Sequence, residues 1–441
     1  MARQNNKETP TRVDWRRQAR EVADSLAIAF ILAMVIRHYV LEVFKIPTKS
    51  MEPTLLGDPW TGDKILVNKF AFDFRDPRRW DVVVFRYPKD TSKNYIKRLI
   101  ALPGETLLIR AGDIFINGEI QRKPWGVQNT LWRRRRNGPR LQPERPLNDP
   151  QQHWLESYTA AGGERWVPDD PANWQLSSGD FTLNGRTSSD YQYIAYLSEV
   201  LAYENPRRPE RRNGEADGSE PRQDTRPGVS EFPTSDIMVQ FLLVPESLPG
   251  EVDVLIQIAT AVEYSQVVDR WRIQIPIAEG NVRALLYRDG SLEDDTFISR
   301  QASRPFPLPL NRPALVQVCN VDHSIIVRIG GVQVLYAEYE PSVSALKWPG
   351  SLTRARVLLG GRGAQVTFRR PAIFADLYYT QNPQVHAVNE PFTLGENEFF
   401  VLGDNSANSN DSRDWGIVPR HSLVGEAFLV LWPLARLRVV R

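Results

Sequence analysis

The polarity pattern changes character three times along the chain. A basic, polar start gives way to eleven uninterrupted apolar residues, LAIAFILAMVI, at 26–36. At ~1.5 Å rise per residue this run covers about half of a ~30 Å hydrocarbon core. Extended to residues 23–44 it reaches a full span. Arg37, His38 and Glu42 then fall near its distal end, where polar side chains can snorkel. The pattern predicts a transmembrane helix over 23–44 behind a basic tail, 1–22. Arg3, Lys7, Arg12, Arg16, Arg17 and Arg20 precede the span, whereas only Lys45, Lys49 and Lys64 follow closely. This asymmetry predicts a single-pass inner-membrane protein with a cytoplasmic N-terminus and the remainder on the outer, periplasmic side. No small-x-small cleavage site follows the apolar run, so an uncleaved anchor is expected rather than a removed leader.

From Ile46 onward the pattern shortens. Residues 63–70, 80–86, 95–100, 106–109 and 113–118 are β-branched or alternating runs bounded by Gly, Asp and Pro, as are 398–402 and 425–432. These read as antiparallel strands with tight turns. The predicted class is mainly β: a membrane helix, then an antiparallel core in two parts, 45–123 and 387–441, interrupted by a large insert. Within the insert, 124–236 reads as irregular, with a Pro-, Arg- and Glu-rich disordered linker at 205–236. Residues 237–386 read as a β-sandwich, with a two-residue hairpin turn at Gly330-Gly331.

Composition removes several classes of function. The chain has 441 residues, 55 Lys plus Arg against 53 Asp plus Glu, and a net charge of +2, so no nucleic-acid partner is expected. The run Arg133–Arg136 reads as a solvated loop. The single cysteine, Cys319, sits in an apolar run and reads as a buried small hydrophobe. Five histidines are scattered without metal-ligand spacing, so no metal or cofactor is expected.

Candidate chemistry gathers in three segments: Ser50-Met51-Glu52-Pro53-Thr54 just past the predicted anchor, Lys97-Arg98 on a predicted strand, and 403–416. A serine hydroxyl needs a base, and no histidine is near Ser50 in sequence. Lys97 lies among apolar strand residues, and a lysine withdrawn from water shifts toward its neutral form, which is a competent base.

Together these segments resemble the type I signal peptidase family, leader peptidases with a Ser-Lys dyad. Its Ser-Met-x-Pro-Thr motif is met at 50–54, and its Lys-Arg and Ala-x-Pro-Gly-Glu elements at 97–98 and 101–105. Its Gly-Asp-Asn, Ser-x-Asp-Ser-Arg and Trp-Gly elements are met at 403–405, 409–413 and 415–416. The resemblance implies Ser50 as nucleophile and Lys97 as general base. It implies an oxyanion hole from the Ser50 N–H and the Thr48 hydroxyl. Ser409 would orient the lysine amine, and an Asp404–Arg413 ion pair, supported by Asp411, would brace it. Phe44, Ile46, Met51, Leu55, Tyr95 and Ile96 would contact substrate. The implied partners are signal peptides of exported preproteins and the lipid bilayer; the sequence names none for the insert. Lys49 beside the nucleophile and Ser406-Ala407 after Gly-Asp-Asn depart from the family pattern. Two rivals are a self-cleaving Ser-Lys regulator and a membrane-tethered binding protein with an inactive protease core.

Overall fold

The computed structural model describes residues 15–35, 40–134, 166–177, 179–187, 189–196, 201–203, 232–260, 267–289, 299–340, 353–380, 385–388 and 390–441. The chain is mainly β, in antiparallel sheets. Helix α1 (Trp15–Val35) is followed by strands β1 (Leu41–Lys45), β2 (Lys64–Asn68), β3 (Val82–Tyr87) and β4 (Asp90–Ala101); β5 (Glu398–Leu402) and β6 (Leu423–Trp432) come from the far end of the chain.

The helix expected over 23–44 is corrected. Helix α1 ends at Val35, and the last four residues of that stretch belong to β1, with Phe44 opposite Ile65 of β2. The backbone of Leu41–Lys45 finds its partners in the sheet rather than in a helix. Residues 36–39 lie outside the described residues. Among the described residues no helix is long and apolar enough to cross a membrane. Leu26, Ile28, Phe30, Ile31 and Met34 of α1 are nevertheless exposed.

One sheet runs β1-β2-β6-β3-β4-β5, extended by Val418–Pro419. The C-terminal strand β6 therefore lies between β2 and β3, so the two parts of this sheet close only when the chain ends meet. Strand β3 is apolar at every one of its first four positions because it is covered on both sides. Val82 and Val84 join one cluster with Met51, Leu55 and Ile65, while Val83 and Phe85 join another with Leu99 and Val401.

The intervening residues form two further antiparallel sheets. Ile237–Pro245, Ala314–Val321, Ser324–Ile329, Val332–Glu338 and Gln365–Ala375 belong to one; Gly250–Thr260, Val267–Ile277 and Thr353–Arg362 belong to the other. Both feed a single apolar cluster, with Val239, Phe241 and Leu243 from the first and Val252, Val254 and Ile256 from the second. Gly330 and Gly331, both at positive φ, form the expected hairpin turn, and Cys319 is fully buried.

The irregular reading of 124–236 is corrected for its described part. Trp166–Pro168 and Gln192–Tyr196 extend one sheet, and Trp174–Ser177 and Asp180–Asn184 extend the other. Their apolar residues are few and set among Pro, Ser and Gly, so local pattern is weak. Asp180–Asn184 and Gln192–Tyr196 join strands more than a hundred residues away, as with Phe181 opposite Phe368, and Trp174–Ser177 and Trp166–Pro168 pair onto them in turn. Most of the expected linker lies outside the described residues; at its end, Phe232–Pro233 pairs with Leu201–Tyr203.

Buried charge joins the insert to the first sheet's neighbourhood. Lys123 Nζ donates to Asp322 at 2.6 and 2.8 Å and lies 3.0 Å from Asp376, which also accepts from Gln128 at 2.6 Å. Carboxylate oxygens of Asp113, Asp236 and Asp322 lie within 4.8 Å of one another beside this group. Burial and the neighbouring carboxylates push Asp113 well up and Asp236 up to about 8.

Candidate active site

Ser50 sits in a single 3₁₀ turn, Lys49–Met51, immediately after β1. Two glycines permit that path. A Cβ at Gly57 would overlap the Thr48 carbonyl, and one at Gly62 would overlap the Ile46 carbonyl. The turn is tied to the C-terminal half of the fold: Asn405 N donates to Ser50 O at 2.9 Å, and Asn405 Nδ2 donates to Lys49 O at 3.0 Å. Gly403 is glycine for a similar reason, since a Cβ there would overlap Ser409.

Lys97 arrives from β4, 47 residues downstream, with Nζ 2.8 Å from Ser50 Oγ and donating to Ile96 O at 2.9 Å. Lys97 is 4% exposed and Ser50 8%. Desolvation brings the Lys97 pKa down to about 8, against the opposing pull of Asp411 and Asp404 and with help from Arg413. At pH 7 roughly a tenth of such an amine is neutral, a fraction an ordinary lysine never approaches. The Lys97 ammonium also lies 5.7 Å from the centre of the Tyr95 ring, which stacks on Tyr87 and meets Trp415 edge-on.

The bracing around the amine differs from the expected one. Asp404 does not pair with Arg413. It takes a two-bond ion pair from Arg98, at 2.8 Å from Nε and 2.6 Å from Nη2, and accepts from the Thr54 hydroxyl. Arg413 pairs with Asp411 instead, through Nε and Nη2 at 2.8 Å each. The reason is strand alternation: Lys97 and Arg98 face opposite ways, so a buried arginine beside the lysine claims the nearer carboxylate on its own side. Burial pushes Asp411 up, but the Arg413 charge and its hydrogen bonds more than offset it and leave Asp411 below its ordinary value. Ser409 is buried beside this group, and its hydroxyl makes no hydrogen bond to Lys97.

Thr48 is exposed, with an extended backbone (φ −122°) and no capping bond from its hydroxyl. Of the six expected substrate contacts, Phe44, Tyr95 and Ile96 keep accessible surface. Ile46, Met51 and Leu55 are corrected: at 2%, 0% and 0% exposure they are packed in the core beneath the turn. Apolar residues flanking a nucleophile look alike in sequence whether they line a pocket or fill a core.

Several site residues carried no sequence signal of role. Arg98 is fully buried, and an arginine followed by Leu99-Ile100 on a strand is the one clue that a buried carboxylate must face it. Ser406, which departs from the family pattern, accepts from Arg413 Nη1 at 2.7 Å and from Thr380 N at 2.9 Å. The solvated-loop reading of the arginine run is corrected at its start: Arg133 pairs in a short strand with Ala375, and its Nη2 donates to Glu52 O and Asp404 O. Arg135 and Arg136 lie outside the described residues.

Ser50 Oγ and the Lys97 amine, whose pKa is lowered by burial, thus lie in contact, shielded from water and flanked by two buried ion pairs. Residues 19–169 and 363–432, half of the chain, match the family model for signal peptidase, peptidase S26, and the chain belongs to that family. It is 40% identical over 126 residues to signal peptidase I of Pseudomonas fluorescens, covering 25% of this chain and 43% of the relative. It is 43% identical over 82 residues to signal peptidase I of Aquifex aeolicus, covering 19% and 30%. The chain thus spans about half or less of the length of the curated relatives it matches. Among solved structures, the carbohydrate binding module CBM66 from Bacillus subtilis aligns over 47% of this chain and 92% of its own, at 9% identity and a TM-score of 0.28.

Proposed function

We propose that the protein is a membrane-attached serine endopeptidase that removes N-terminal signal peptides from exported preproteins through a Ser50–Lys97 dyad. The observation that carries this reading is the 2.8 Å contact between Lys97 Nζ and Ser50 Oγ. Neutral Lys97 takes the Ser50 proton as Oγ attacks the scissile carbonyl. The tetrahedral oxyanion is held by the Ser50 N–H and the Thr48 hydroxyl. Lys97 then returns the proton to the leaving amine, leaving the leader as an ester on Ser50. It next takes a proton from water as that water attacks the ester, and gives it back to Ser50 as the acyl group departs.

Asp411–Arg413 and Asp404–Arg98 hold the loop on which the amine rests, and Ser409 packs beside it. An extended leader would pair with the backbone at residues 95–97 of β4, which among the described residues pair with a strand, β3, on one side only, and along β1 at the end of the sheet. Phe44, Tyr95 and Ile96 would contact its residues before the cut. The apolar surface of α1 is suited to a bilayer, and the basic residues before it favour a cytoplasmic N-terminus with the site on the periplasmic side. Residues 124–386 are read as one insert whose two sheets make a β-sandwich.

The test is incubation of the purified full-length protein with an exported precursor, with and without Ser50→Ala and Lys97→Ala. Cleavage at the leader boundary by the parent and by neither variant is expected. A variant that processes as fast as the parent would overturn the dyad.

A further inference from the structure

We infer that Arg133, a residue supplied by the insert, is a positioning residue of the active site, clamping the nucleophile loop to the loop that braces the base. The inference rests on the Ser50–Lys97 reading. One guanidinium nitrogen, Nη2, donates to Glu52 O at 2.8 Å and to Asp404 O at 2.7 Å. Its two hydrogens thus join two carbonyls 352 residues apart in sequence. Glu52 lies two residues past the nucleophile, and Asp404 is the carboxylate that holds Arg98, the neighbour of Lys97 on β4. A shift between these carbonyls is a shift between hydroxyl and amine.

What fixes Arg133 lies in the insert. It pairs opposite Ala375 in the strand Gln365–Ala375, which carries Val366, Phe368 and Ile373 into the insert's apolar core. The next residue, Asp376, is anchored by Lys123 and Gln128. The same segment makes a second link: Thr380 O and Oγ1 accept from Arg413 Nη1 at 2.7 and 3.0 Å, on the partner of Asp411. The two edges of the insert therefore reach both ion pairs around Lys97. Such an insert is a structural part of the catalytic centre rather than a spacer hung from it.

The experiment compares the full-length protein with Arg133→Met and Arg133→Lys by two readouts. In precursor cleavage, Arg133→Met should lower kcat about 10–100-fold with KM within about twofold, because the reacting groups are misplaced while substrate contacts stay. Millimolar guanidinium should restore part of that loss, and Arg133→Lys, which keeps charge but not the planar fork, should fall between. In hydrogen exchange, amides at 49–56 and 403–406 should exchange faster in Arg133→Met while those of 237–245 and 314–321 keep the parental rate. A kcat within twofold of the parent with unchanged exchange at both loops would overturn the inference, as would faster exchange throughout the insert. If the parent cleaves no precursor, the dyad reading fails, and the exchange arm still decides whether Arg133 clamps the loops.

Discussion

Arg98 and Asp404 form an ion pair with no exposed side-chain surface, Arg98 donating through Nε and Nη2 to both carboxylate oxygens. Trp80 O and Thr54 Oγ1 take further bonds from the same guanidinium, so each of its three nitrogens donates on one side of β4 while Lys97 faces the other. The pair is the hinge between β4 and the Gly403-Asp404-Asn405 loop that touches Ser50.

Removing one member strands the other in a dry site, at a cost of about 3–5 kcal/mol. Arg98→Met and Asp404→Leu should each lower stability by that order in urea melts. The double variant should regain much of the loss, since no uncompensated charge remains. Single variants within ~1 kcal/mol of the parent would mean the pair carries little of the fold.

The pH dependence of cleavage should follow Lys97. Its working form is neutral, and its pKa is depressed to about 8, so kcat/KM should rise with pH and be half-maximal near 8. Asp411 opposes the depression, so Asp411→Asn should move the limb to lower pH. A limb near 10 in the parent would mean that the amine is solvated.

The insert junction should respond to pH with the opposite sign. Asp236 is pushed up to about 8 from 3.8 by burial and by Asp322 and Asp376, so the folded state binds a proton the unfolded chain releases. That contribution is complete below about pH 4 and is lost as pH rises through 8. Thermal melts should therefore weaken between pH 5 and 9, and Asp236→Asn should flatten the change. Equal slopes in parent and variant would exclude Asp236 as the source.

Much of the core was legible because strand pattern and motif spacing are local. Glu398–Leu402 and Thr106–Arg110 fall on their predicted runs, and Lys97 lies on the predicted strand. The anchor was misjudged because hydropathy counts apolar residues without knowing that Leu41–Lys45 has a strand to pair with. The strands at 166–196 escape local reading because the group is held in its sheets by Asp180–Asn184 and Gln192–Tyr196, whose partners lie far along the chain.

By itself the sequence determined the residue types of the site, the alternation that makes its strands, and the family to which 19–169 and 363–432 belong. Tertiary structure decided the pairings: Arg98 with Asp404, Arg413 with Asp411, Arg133 with the carbonyls of Glu52 and Asp404. Charge and hydrogen-bonding capacity are properties of each residue, but which buried partner satisfies them depends on distances that only the closed sheets set.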